Sequence, residues 1–255
     1  MWEFLNKLNI DVWCICLMER DDKYNIVKKE FKKVGLINHV KFHRPYKHAE
    51  NGRIGCFNSH KFCMFNSLNK NKHSLVFEDD VQFSDDWEDK LNSIKIFLYS
   101  GILWDILKFG SAIDYIIKQS PIKNICNYKS FNTHAILYNT KLIQKYKNDV
   151  SFNPNVCKLH IDQLFRADDD IMEYGLVNSM CYQRYCESDN IWKDKLIHQK
   201  IWQSKFTILI QKTHNNQKKL CMYLPFHIQK HINIIDIPVF IYINIKSIAD
   251  LCGIF

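Results

Sequence analysis

Glycine and proline are scarce, at 7 and 5 of 255 residues, which excludes collagen-like and low-complexity architectures. No segment repeats. No run reaches the ~18 apolar residues that a membrane span requires. The opening "MWEFLNKLNIDVW" is too polar for the apolar centre of a secretory leader. No dense Lys/Arg tract interleaved with aromatics occurs, so nucleic acid is not an expected partner. Cysteine is plentiful, at 10 residues, yet no CxxC pair and no zinc-finger spacing is present. Scattered through core-like segments, these cysteines read as free buried thiols, and the expected location is a reducing, cytoplasmic compartment.

What is present suits a globular α/β chain: 47% hydrophobic and 24% charged residues. The net charge of +8 accompanies heavy use of Lys, Asn and Ile. That bias matches an AT-rich source, and attraction to an anionic ligand such as a nucleotide is the other reading. "DVWCICL" (Asp11–Leu17) reads as a strand covered on both faces. Ile26, Val27, Phe31 and Val34 then recur at helical spacing, with Gly35 placed to stop the helix. "HVKFHR" reads as a second strand, "GRIGCFNSHKFCMFNSLNK" as a glycine-bearing turn into a helix, "SLVFEDD" as a third strand and "WDILKFG" as a fourth. "WEDKLNSIKIFLYS" between the last two is an amphipathic helix, and "THAILYNTKLIQKY" a strand, a turn at Asn139 and Thr140, and a helix. "NVCKLHIDQLFRADDDIMEYGLVNSMCYQRY" then reads as a helix, an acidic loop and a strand near Leu176 to Tyr182. Strand–helix alternation favours a doubly wound, mostly parallel sheet, whose ligands bind beyond the carboxyl ends of the strands. A soft boundary near residue 195 separates a domain over 1–195 from a C-terminal appendage over 196–255. That appendage either packs as a subdomain or touches a membrane surface or a partner through "PFHIQKHINIIDIPVFIYI".

Glu78, Asp79 and Asp80 stand at the end of the third strand. Three like charges there suit a divalent cation, general acid/base work, or a solvated loop start with Ser84 or Asp85 capping the next helix. Strand alternation lets Glu78 and Asp80 share a site while Asp79 faces away. Arg20, Arg44 and Arg53 follow strand ends or open the glycine-bearing helix and are candidate phosphate ligands, since guanidinium matches phosphate bidentately. Asp162 in "HIDQ" is the candidate base for deprotonating an acceptor hydroxyl, with Asp114 and Asp168 to Asp170 as competitors and His160, nearby in sequence, as a candidate further metal ligand.

The succession "VWCICLMERDDKY", "GRIGCFNSH", "LVFEDDV" and "WDILKFG", with "THAILYN", "HIDQLF" and "QRYCESDNIW" downstream, resembles the family 25 glycosyltransferases of the lipopolysaccharide-biosynthesis and collagen-galactosyltransferase type. The resemblance covers about residues 10 to 192. It implies a GT-A-like nucleotide-sugar-binding fold with a mostly parallel central sheet flanked by helices. It implies inverting, metal-dependent transfer of galactose or glucose from a UDP-sugar to a glycan, a lipid-linked glycan or a hydroxylated protein. The acidic block corresponds to the DXD motif, so Asp80 with Glu78 is expected to hold Mn²⁺ or Mg²⁺. Glu78 and Asp79 are expected to contact the donor, together with Leu17, Arg20, Arg53, Ser59 and His60. Three positions depart from the family pattern: Cys16 stands for Asn, Lys23 for Arg, and Ile136 for Tyr. They motivate the alternative of a catalytically degenerate fold serving as a carbohydrate-binding or assembly module.

Overall fold

The run Ile10–Ile15 (β1) sends alternate side chains to opposite faces, as strand geometry requires. Val12 and Cys14 enter one apolar cluster and Trp13 the other, so the run is largely apolar because both faces are covered. A short helix, Phe4–Lys7 (α1), precedes it. These elements belong to a computed structural model that describes residues 1–184 and the backbone of 207–212 and 218–223.

Asp21–Lys33 (α2) follows β1, with Asp21 and Asp22 in its first turn and Lys32 and Lys33 in its last, both favourable to the helix dipole. Gly35, at φ +70°, ends it. The Leu36 amide donates to the Phe31 carbonyl at 2.8 Å, closing a Schellman turn that few residues other than glycine allow. Val40–His43 (β2) then pairs parallel with β1. Gly52–Leu68 (α3) carries the chain back across the sheet to His73–Glu78 (β3), which pairs parallel with the opposite edge of β1. Because the two crossovers run in opposite directions, α2 and α3 cover opposite faces. Val27 and Phe31 of α2 join one cluster; Phe57, Cys63 and Met64 of α3 join the other.

After Val81–Phe83 (β4), Trp87–Tyr99 (α4) packs on the α2 side through Leu91, Ile94 and Phe97. The strand expected at "WDILKFG" runs much further, as Ile106–Gln119 (β5). It folds back as Ile125–Tyr138 (β6) in a long antiparallel pair with several register breaks. β6 then lies antiparallel to β3, with Phe77 opposite Ala135. Thr140–Lys147 (α5) and Ile161–Ala167 (α6) complete the α3 side, and Glu173–Leu176 (β7) inserts between β5 and β6. Gly175 is required there: a Cβ would stand 1.9 Å from the Tyr128 hydroxyl. Cys181–Gln183 (β8) pairs with β4 in a small second sheet. Backbone strands Thr207–Lys212 (β9) and Lys218–Tyr223 (β10) extend the main sheet, in the order β10-β9-β5-β7-β6-β3-β1-β2.

The fold is thus α/β, with a central sheet flanked by helices, and its parallel part β2-β1-β3 carries the acidic block. The helix expected over "NVCKLHIDQLF" shrinks to α6. The segment before it is turns, because Asn153 and Pro154 favour turns over helix and His160 takes the N-cap. The seven described cysteines are all free. Among the described residues no helix is long and apolar enough to cross a membrane. The boundary at residue 195, and the apolar stretch expected at a membrane or partner, lie outside the described residues.

Candidate active site

The chain leaves β1 toward β2 and returns on the other side of β1 as β3, so the carboxyl ends of β1 and β3 flank the point where strand order reverses. Chains diverging from such a point leave a crevice. The crevice here encloses about 660 Å³ including its open mouth. Ile15 at the end of β1 and Leu17 just beyond it, Glu78 at the end of β3 with Asp79 and Asp80 just after it, and Gly52, Gly55, Cys56, Ser59 and His60 from α3 line it. Lys23, Lys47 and His48 complete the lining. The amino terminus of α3 therefore opens on the crevice, with Asn51 capping it through a bond from the Arg53 amide, 2.9 Å. Gly55 lets that first turn approach the preceding loop: a Cβ there would meet His48 Cβ at 3.1 Å.

The three acids have three different environments, and none is a solvated loop start. Glu78 Oε1 accepts from Thr133 Oγ1 at 2.5 Å and lies 3.4 Å from His60 Nε2. His60 is wholly buried, and its Nδ1 is 3.0 Å from the Tyr138 hydroxyl. A proton on Nε2 directed at the carboxylate leaves Nδ1 to accept from Tyr138, so the row Tyr138–His60–Glu78 is internally consistent. Burial works against charge on Glu78, but the bonds from His60 and Thr133 outweigh it and hold its carboxyl below the usual range.

Asp79 turns toward α2, 3.7 Å from Lys23 Nζ, yet it still lines the crevice rather than facing away from it. Burial, with Asp79 alongside, pushes the Cys16 thiol up to about 12, so Cys16 stays neutral beside the acids. Asp80 is the least satisfied of the three. Its Oδ2 accepts from Gln183 Nε2 at 3.4 Å, while its buried Oδ1 has no hydrogen-bond partner. Burial, then the charges of Glu78 and Asp79, push its carboxyl well above the ordinary range. An orphaned, buried carboxylate oxygen beside two further acids fits a hard divalent cation, which takes oxygen ligands and would relieve the repulsion. Asp80 and Glu78 are the residues that would hold it. Neither Ser84 nor Asp85 takes the cap of α4: the N-cap is Asp86, without a side-chain cap bond.

Asp162 lies on α6, where Oδ2 accepts from the Asn132 amide at 3.0 Å and Oδ1 from the Gln163 amide at 2.9 Å. Asn132 takes φ +70° and donates Nδ2 to Gln183 Oε1 at 3.2 Å. Gln183 thus links Asp80 to Asn132, and Asn132 links on to Asp162. Among the competitors for the base, Asp168 is held by Lys145 and Tyr146, and Asp114 by Arg166. The arginines take other places. Arg53 donates to the carbonyls of Pro154, Cys157 and Leu159 at 2.8–3.0 Å. Arg20 makes a bidentate pair with Asp22. Arg44 sits 4.4 Å over the Tyr24 ring and donates to the carbonyls of Leu17 and Met18. Arg44 therefore shapes the loop that brings Leu17 to the crevice.

Of the donor residues expected from sequence, Leu17, Ser59, His60, Glu78 and Asp79 are brought together at the crevice; Arg20 and Arg53 are not among its lining. Lys23, Lys47, Thr133, Tyr138 and Gln183 are additional. The last three reach the acids only through the β3–β6 and β4–β8 pairings, which no local pattern announces.

Residues 18–160 match the family model described as glycosyltransferase family 25 (LPS biosynthesis protein). No curated protein matches the sequence significantly. Solved structures of similar outline include mannose-1-phosphate geranyltransferase from Thermus thermophilus, at 7% identity and TM-score 0.41, over 66% of this chain and 73% of that one. Another is a glycosyltransferase involved in glycosylation of the major capsid of PBCV-1, at 9% identity and TM-score 0.43, over 75% of this chain and 98% of that one.

Proposed function

Since the chain belongs to glycosyltransferase family 25, we propose that it transfers a hexose, galactose or glucose, from a UDP-sugar to a hydroxyl group of a glycan or glycoconjugate in a metal-dependent, inverting reaction. The observation that carries this reading is the orphaned Asp80 oxygen in a crevice where three carboxylates face a helix amino terminus. A cation bound by Asp80 and Glu78 would supply charge to offset that developing on the diphosphate leaving group.

The chain's own residues do the rest. The amino terminus of α3 favours an anion, because its first amides lack helical partners. Lys23 and Lys47 add positive charge to the crevice lining. Thr133 and His60 keep Glu78 ionised and fix its direction, so it is ready for a cation or a sugar hydroxyl. Asp162 is not among the crevice lining, but it is the base this reading assigns to the acceptor hydroxyl: two backbone amides hold it, and Asn132 and Gln183 link it to Asp80. Each Asp162 oxygen keeps a second lone pair for the hydroxyl proton.

The test is UDP release from UDP-galactose and UDP-glucose with and without Mn²⁺. Turnover is expected with the metal only, and Asp80→Asn is expected to lower it at least ~100-fold. Full metal-supported turnover by Asp80→Asn would remove Asp80 from the role. No metal-linked binding of either nucleotide sugar by calorimetry would favour a carbohydrate-binding module on the same fold.

A further inference from the structure

Cys56 and His60 are four residues apart on α3, so their side chains stack on one face of the helix. Glu78 comes to the same spot from β3. One ligand atom of each, a sulfur, an imidazole nitrogen and a carboxylate oxygen, lies within 4.8 Å of the other two. His60 Nε2 and Glu78 Oε1 are already 3.4 Å apart. Tetrahedral zinc, with bonds of about 2.0–2.3 Å, spaces its ligands by about 3.2–3.8 Å, so closing the triad needs a movement of roughly 1 Å by side chains.

We propose that Cys56, His60 and Glu78 form a second metal site, distinct in chemistry from the all-oxygen Asp80 position, that takes a thiophilic ion of the Zn²⁺ class. Three protein ligands and an open crevice-facing position give the coordination of an accessible rather than a sealed zinc site. Cys56 is half-buried and lines the crevice, so the site borders the space an ion enters. The supporting hydrogen bonds are in place. When Nε2 gives its lone pair to the ion, Nδ1 carries the proton and donates it to the Tyr138 oxygen 3.0 Å away. Thr133 steadies the Glu78 carboxylate at 2.5 Å. On binding, the Cys56 thiol releases its proton to solvent and the thiolate ligates; no oxidant or reductant is involved. Mn²⁺ and Mg²⁺ prefer oxygen donors and discriminate against this set, whereas Zn²⁺ accepts it.

An ion there takes Glu78, the one residue the two sites share, away from the cation it would hold with Asp80. The expected consequence, which rests on the transferase reading, is inhibition by Zn²⁺ of the Mn²⁺-supported reaction. The site itself is tested without activity, by titrating the full chain with Co²⁺ alone and following sulfur-to-cobalt charge-transfer absorption in the near ultraviolet. The band is expected to appear, to saturate at one ion per chain, and to bleach when Zn²⁺ is added. Cys56→Ser is expected to abolish it, with Cys56→Ala as the second variant where the hydroxyl unsettles the fold. Tyr138→Phe is expected to weaken Co²⁺ binding about 10-fold. Asp80→Asn is expected to keep the band. No band in the unmodified chain, a band that survives loss of Cys56, or a band lost with Asp80 would each overturn the proposal. UDP release depends on Asp80 and the band on Cys56, so the two readings fail separately.

Discussion

Burial and the charges of Glu78 and Asp79 push the Asp80 carboxyl well above the usual range, so the folded chain holds that proton more tightly than the unfolded chain does. The stability this group contributes is full at acid pH, below the unfolded value, and is lost as pH rises through the raised folded value. Asp80→Asn removes the charge and keeps the shape. Without metal, the variant is expected to melt about 2–4 °C higher than the wild type at neutral pH, with the gap closing below about pH 4. Scanning calorimetry across pH reads this directly, and a variant that melts lower at neutral pH would show that Asp80 is a structural anion instead. Glu78 runs the other way: its depressed carboxyl stays charged, because His60 and Thr133 bond to the anion. One residue is left wanting a cation and its neighbour is fixed to help, and this division of labour is invisible in the three consecutive letters of the sequence.

Elements place these residues, and two of the joints between elements can be broken separately. Arg53 leaves the first turn of α3 and holds the carbonyls of Pro154, Cys157 and Leu159, fastening the turns that lead into α6 and Asp162. Arg53→Ala is expected to cost about 1–3 kcal/mol, because it leaves partly buried carbonyls without a partner. It is also expected to speed amide exchange across residues 153–160. Hydrogen exchange checks the loop, and an unchanged loop with a raised KM for UDP-sugar would return Arg53 to the phosphate role expected from sequence. At the far end of β1, Asp11 is 3% exposed and pairs with Lys41 of β2 at 2.7 Å and with Lys72, just before β3, at 3.1 Å. Burial raises its carboxyl, but the two lysines more than offset this and leave it below the usual range. The stability it adds is therefore present above the unfolded value and lost as pH falls through the folded one. Asp11→Asn is expected to cost about 1–3 kcal/mol at pH 7, discounted for the exposed lysines, and much less in acid. Urea unfolding at the two pH values decides it. The β1-α2-β2-α3-β3 run was legible from period and from Gly35, because each segment carries its own pattern. The β5–β6 pair beyond Gly110 was not, since its polar letters alternate weakly and its register depends on contacts distant in sequence.

For the molecule as a whole, the position of the crevice decides how ligands and stability are linked. Both apolar clusters meet the sheet beside it, with Phe77 and Val76 of β3 facing opposite ways just before the acids. A ligand at this point bridges α3, β1 and β3, so it is bound by the native chain and not by the unfolded one. Such a ligand stabilises by mass action, about 2.7 kcal/mol at one hundred times its dissociation constant. For a chain of this size that corresponds to about 5–10 °C in Tm. UDP and Mn²⁺ together are expected to give a rise of that order. UDP with a chelator is expected to give much less, because three acids then face the diphosphate with no cation between them. In Asp80→Asn the synergy is expected to disappear while any effect of UDP alone remains. A thermal-shift matrix of UDP, Mn²⁺ and chelator against both proteins separates the contributions. Equal shifts with and without Mn²⁺ would mean that α3, Lys23 and Lys47 suffice for the anion, and the acidic block would then belong to the sugar or the acceptor.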